Sequence, residues 1–287
     1  MRTLVAITIV GFVPAAFAQS PAPLRLQWKT GQVNTYAVKQ TTTVEEVILA
    51  EGTNKPQTGK HATTMQLAYT WTVRDVDAKG IATIDKAVIS FKSESTRTAA
   101  GKDGQPESVT DTLDSAVAAD REKMPFLNKV AVTAKVDGLG NVLEASSAFG
   151  DAAVARFKTE LPFRLTLSDK PLTPGLAWER AYTITLDPKY GGTGEQYPTV
   201  QKCTFKGMNG NFAIIGVTTA LKEQPKNTSE LRPLIPLQWE GDVFIDTQNG
   251  RFHACKLIAA KELTNHEGDG TKYSYRSEYV ESIQEKK

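Results

Sequence analysis

Residues 239–263 read WEGDVFIDTQNGRFHACKLIAAKEL, two runs of β-branched and aromatic residues on either side of Asp246-Thr247-Gln248-Asn249-Gly250. Asn-Gly can take the positive φ that a tight reversal needs, so the stretch predicts a β-hairpin. A stretch of the same kind lies upstream at 129–146, KVAVTAKVDGLGNVLEAS, and turns on Asp137-Gly138-Leu139-Gly140-Asn141. Two such hairpins in corresponding places point to antiparallel sheet and to a duplicated β unit.

The rest of the chain extends this pattern. Met65, Leu67, Tyr69, Trp71 and Val73 share one parity, and Gln66, Ala68, Thr70, Thr72 and Arg74 the other. Strict alternation of this kind marks a half-buried strand. Asp77-Ala78-Lys79-Gly80 reverses it, and 81–93 returns. Segments 200–206 and 212–223 form a matching pair across Met208-Asn209-Gly210-Asn211. In the closing segment 271–283, Tyr273, Tyr275, Tyr279 and Ile283 fall on one parity. Two stretches read as helix. Residues 111–124 hold three alanines, with Leu113, Ala116 and Val117 at helical spacing, and 149–161 carry Ala153, Phe157 and Leu161 on one stripe. Residues 98–107 read as an exposed loop. The two prolines of 165–178 suggest a linker. The expected fold is mainly β (α+β), with halves at 24–165 and 170–283. Each half is a strongly curved antiparallel sheet covered by one or two short helices.

The first residues read as an address. Arg2 precedes the apolar run 4–17, and Ala16-Phe17-Ala18 is an A-x-A site, so 1–18 is expected to be a secretory signal peptide. The run is too short to span a bilayer, and no cysteine near the cleavage site invites lipidation. The mature chain is therefore expected to be secreted or periplasmic. Its 34 basic and 32 acidic residues give a net charge of +2, spread without blocks. That balance makes no electrostatic case for nucleic acid or a membrane surface.

The residue inventory argues against several chemistries. There is no G-x-S-x-G, and His61, His253 and His266 are the only histidines, so a Ser/His/Asp hydrolase would need a site assembled from distant elements. No carboxylate pair has glycosidase character. Cys203 and Cys255 are expected to form a disulfide in an oxidising compartment. The alternatives are two buried free thiols, or a metal site on His253 and Cys255 with Cys203 and His266 as further ligands. Two residues apart on a strand, His253 and Cys255 would face one side. The aromatic stripes Tyr69 with Trp71, and Tyr273, Tyr275 with Tyr279, either line a cavity for a ligand or form ordinary core.

Leu24-Arg25-Leu26-Gln27-Trp28-Lys29-Thr30-Gly31-Gln32, Tyr69-Thr70-Trp71-Thr72-Val73, residues 171–182 and Gly241-Asp242-Val243-Phe244 resemble a group of uncharacterised secreted proteins common in planctomycete-type bacteria. The architecture is also similar to LolA-type lipoprotein carriers, an open β half-barrel lined by helices. The resemblance implies a secreted β-rich protein and supplies no site residues. The function expected is a non-enzymatic carrier for a lipid or other hydrophobic molecule, without cofactor. Its partner is that molecule or another envelope protein. A secreted hydrolase and a structural envelope protein without a small-molecule ligand are the alternatives.

Overall fold

The computed structural model describes residues 22–49, 55–101, 105–159, 165–186, 194–225 and 228–285. The expected signal peptide 1–18 lies outside them.

Among the described residues, twelve strands form one antiparallel sheet: β1 Val33–Leu49, β2 Pro56–Val76, β3 Ala82–Ala100, β4 Pro106–Asp114, β5 Val130–Val136, β6 Val142–Ser146, β7 Ala177–Thr185, β8 Gln196–Asn209, β9 Phe212–Leu221, β10 Glu240–Asp246, β11 Arg251–Thr264 and β12 Lys272–Gln284. Their order is β6-β5-β3-β2-β1-β12-β11-β10-β9-β8-β7. The first and last strands meet in the middle, in a ladder from Thr35↔Gln284 to Val47↔Lys272. β3 is long enough to pair β5 along Ala82–Ala87 and β4 along Lys92–Ala100, one beyond the other on the same edge.

Two expectations are corrected in this region. Residues 98–107 do not form a loop throughout, because β3 runs on to Ala100 and β4 begins at Pro106. Residues 111–124 are not one helix: the chain is strand up to Asp114, and only α1, Ala118–Arg121, is helical. Val109, Thr110 and Thr112 are β-branched and find partners across the ladder, with Thr110 Oγ1 2.9 Å from Thr96 Oγ1 and Ser108 Oγ 2.7 Å from Thr98 Oγ1. Pairs of this kind favour the sheet, and three alanines further along do not outweigh them. The helix read in 149–161 appears as α2, Asp151–Thr159, with Phe157 buried, while Leu161 of the expected stripe lies outside the described residues.

The core lies on one face of the sheet. One apolar cluster runs from Tyr36 and Tyr69 in β1 and β2 through Tyr279, Leu257, Val243 and Ile215 to Phe205 and Ile184 in β8 and β7. A second joins Val73, Ile84, Val132, Ala134 and Val136 to Phe157 of α2, with Trp28 packed against it. Short segments cover this face. α3, Thr228–Leu231, runs into a 3₁₀ turn, Arg232–Leu237, that buries Leu234 and Ile235. Residues 24–28 make no regular structure but are held at both turns read from the sequence. Leu26 N–H donates to Gly138 O and Gln27 N–H to Gly250 O, both at 2.7 Å. Leu167 N–H donates to Leu139 O at 2.8 Å. Gly140 lets that segment come close, because a Cβ there would stand 2.3 Å from Leu165 O.

The turns themselves are built by aspartate. Asp137 Oδ1 accepts the N–H groups of Leu139 and Asn141, and Asp246 Oδ1 those of Gln248 and Asn249. Each asparagine side chain then donates to the second oxygen of its aspartate. Such Asx bonds replace backbone partners that a reversal leaves unpaired.

Candidate functional site

β12 alternates so regularly that its inward stripe is Tyr273, Tyr275, Ser277, Tyr279, Glu281 and Ile283. Period two thus carries a carboxyl to the core face. Glu281 is 2% exposed. Tyr69 Oη, from β2, donates to Glu281 Oε1, and Tyr279 Oη donates to Oε2 at 2.6 Å. Lys86 of β3 places its Nζ 4.0 Å from the centre of the Tyr69 ring.

Around this group stands an aromatic wall. Tyr36 stacks on Tyr69 at 5.4 Å and meets Trp71 at 5.6 Å and Phe252 at 5.5 Å, while Trp28 lies 6.4 Å from Trp71. The wall borders a cavity of about 40 Å³. Trp71 and Ile84 face it from one side of the strand order, and Val243, Phe252 and Leu257 from the other. Leu26, Trp28, Phe157 and Leu165 complete the apolar lining, in which Lys86 and Glu281 are the only charged residues among the described ones. Trp71 Nε1 is buried and meets no acceptor among the described residues.

Burial pushes the Glu281 carboxyl above the usual carboxylate range, an effect partly offset by the Lys86 charge and by the two tyrosine hydroxyls. Burial and the neighbouring carboxyl push Tyr69 and Tyr279 well up, so both phenols keep their protons and act as donors.

Of the aromatic residues named from sequence, Tyr69, Trp71 and Tyr279 come together here. Tyr273 and Tyr275 lie further along β12. The Arg232 guanidinium carbon sits 4.8 Å from the centre of the Tyr273 ring, and both tyrosines are buried in the main core. Glu281 and Lys86 went unread in the sequence. A charged residue on the parity of Tyr279 and Ile283 was the available signal for Glu281.

The disulfide expectation is corrected. Cys203 and Cys255 are buried free thiols. The row of Cys203 in β8 crosses Val217 of β9 and Gly241 of β10 before reaching β11 at Leu257. Three strand spacings separate the two residues by about 14 Å, twice what a bridge tolerates. His253 and Cys255 also fail to share a side, because a β-bulge interrupts the ladder where Phe244↔Ala254 is followed by Ile245↔Phe252. His253 stacks on Phe212 at 4.2 Å, whereas Cys255 lines the cavity. Among the described residues, the cluster with metal-ligand spacing is Glu46, His266 and Glu267. Arg232 already fills it, with Nη1 3.0 Å from Glu46 and 2.7 Å from Glu267. His61 faces Ser95 Oγ at 2.7 Å and Thr63 Oγ1 at 3.3 Å, away from the cavity lining.

Burial pushes the Cys203 thiol up to about 12 and Cys255 well above its ordinary value. The thiolate is the reactive form. A thiol reagent at about pH 8 is therefore expected to leave the folded protein essentially unmodified and to label two cysteines once it is denatured without reductant. Absence of label in the denatured chain would restore the bridge.

No protein-family model matches the chain, and no curated protein matches it. Solved structures similar to it include lipovitellin and DynF. Lipovitellin, in a structure described for its lipid–protein interactions, aligns with 90% of this chain at 11% identity and a TM-score of 0.49. The chain covers 26% of lipovitellin, about a quarter of that protein's length. DynF, from the dynemicin biosynthesis pathway of Micromonospora chersina, aligns with 97% of this chain and 92% of its own length, at 9% identity and a TM-score of 0.20. Likenesses this remote carry no functional argument. Among the described residues, no helix is long and apolar enough to cross a membrane.

Proposed function

We propose that this chain is an exported, non-enzymatic carrier for a lipid or another hydrophobic molecule, which it holds between the core face of its sheet and the segments that cover that face. The observation that carries the reading is the apolar cavity, roofed by irregular chain at 24–28 and floored by strands. A roof of this kind is held by few bonds and can move, whereas a packed second layer cannot.

Strong curvature of the sheet is part of the proposal. The turn after β5 and the turn before β11 are separated by β3, β2, β1 and β12. On a flat sheet, five spacings would put them about 24 Å apart. Yet the consecutive residues Leu26 and Gln27 bond to both. α2 likewise touches β5 and β6 near one end of the strand order and β7 at the other. The division into halves at 24–165 and 170–283 draws support from the order of the strands. β1 to β6 and β7 to β12 each run outward or inward as a meander, with β4 placed beyond β5 on β3.

The volume favours a second reading, a structural envelope protein without a small-molecule ligand. A cavity of 40 Å³ has room for about three waters, whereas an apolar site of about 150 Å³ is needed to take a molecule the size of benzene. The carrier reading therefore requires Leu26 and Trp28 to swing out when a ligand enters. Organic extraction of the purified protein followed by mass spectrometry separates the readings. The carrier is expected to release an apolar compound near one equivalent, or to bind added alkyl chains with a change in tryptophan fluorescence. If it does neither, the structural reading stands.

A further inference from the structure

We propose that the cavity recognises the head of its ligand, and that this head is an uncharged hydroxyl held between Trp71 Nε1 and the Glu281 carboxyl. The inference rests on the carrier reading and specifies its ligand class.

An apolar pocket orients its occupant through a few polar atoms, and here three groups supply them. Trp71 Nε1 is a donor only, and it is buried without an acceptor among the described residues. Leaving such a group unpaired costs about 1–3 kcal/mol, so an oxygen brought to it gains what the folded protein forgoes. Glu281 accepts from Tyr69 and Tyr279, one hydroxyl to each oxygen. A carboxylate has about four lone-pair positions, which leaves it able to accept once more. A hydroxyl fits both demands, since its oxygen accepts from Trp71 while its proton goes to Glu281.

Charge selects against the other common heads. Lys86 and Glu281 are opposite in sign and line the same cavity. A carboxylate head would gain Lys86 but stand against Glu281. An ammonium head would gain Glu281 but stand against Lys86. Neither recovers its lost hydration where the side chain that attracts it stands beside one that repels it, whereas a hydroxyl has far less hydration to lose. The apolar body would then occupy the space vacated by Leu26 and Trp28 beside Phe157 and Leu165.

Calorimetric titration of the full chain with 1-dodecanol, dodecanoate and dodecylamine at about pH 7 tests this. The alcohol is expected to bind about tenfold or more tightly than either charged chain, the effect of one well-made hydrogen bond. Trp71→Phe keeps the aromatic wall and removes the donor, so it should lower dodecanol affinity about tenfold with an unchanged melting curve. Equal affinity for the three chains, or no change with Trp71→Phe, overturns the head assignment and leaves the carrier standing. No binding of any chain overturns both. If Trp71→Phe lowers the melting temperature, the comparison of the three chains in the unaltered protein still decides.

Discussion

Gly241→Ala is expected to lower the stability of the fold by about 3 kcal/mol, the sum of backbone strain and overpacking at one site. Gly241 sits in β10 between Val217 of β9 and Leu257 of β11. Its φ is +146°, and a Cβ built there would stand 2.1 Å from Lys256 O and 3.0 Å from Leu257 Cα. Both obstacles are backbone of the neighbouring strand, so neither can rotate away. Relief requires β10 and β11 to separate, and Val243, Ile245 and Leu257, which line the cavity, would shift with them. Urea denaturation of the two proteins measures the loss. Gly210→Ala is the control, because its φ is also positive but nothing lies within 4 Å of the added carbon. If the two variants lose equal stability, strain alone is at work and the close approach of the strands is not what the glycine permits.

Local signals in the sequence reached the hairpins and the inward stripes, because a period of two and an Asn-Gly or Asp-Gly turn are properties of a few adjacent residues. Asp137 and Asp246 were legible in the same way, since an aspartate four or three residues before an asparagine is a turn signal in itself. Other features depend on pairing at long range. Read alone, 98–107 looks like loop and 111–124 like helix, and residues 106–114 become strand because β3 extends past β5 and offers Lys92–Ala100 as a template. The bulge at Phe252–Ala254 turns His253 away from Cys255, and no residue type in that run announces it. The distance between Cys203 and Cys255 depends on which strands lie between them, and hairpin spacing does not specify that order. Tyr69 and Trp71 could be named as a stripe, but their meeting with Glu281 follows from β1 and β12 pairing at the centre of the sheet. The buried carboxyl was the strongest available clue to the site: period two placed it inside, and burial of an acid needs partners.

Replacing that carboxyl is expected to change the pH dependence of stability as well as its size. The ordinary value for the group is 4.5, and burial raises it in the folded protein. The folded state therefore holds the Glu281 proton more tightly than the unfolded state does. The stability this contributes is complete below pH 4.5 and is lost as pH rises through the folded value. Glutamine resembles the protonated acid in shape and does not titrate, so Glu281→Gln is free of that loss. Measured against the unaltered protein, the variant should gain stability as pH rises from 4.5 through the folded value, by about 1.4 kcal/mol for each tenfold rise in the proton affinity. The groups facing Glu281 are Lys86 from β3, Tyr69 from β2, Tyr279 from β12, Tyr36 from β1 and Cys255 from β11. The tyrosines and the cysteine are all pushed upward and stay neutral across this interval. Lys86 opposes the shift, so Lys86→Met should raise the Glu281 value further and steepen the loss of stability with pH. Urea titrations of the three proteins at several pH values give the curves. Parallel curves for Glu281→Gln and the unaltered chain would mean that water reaches the carboxyl and that the cavity floor is not the desolvated site described above.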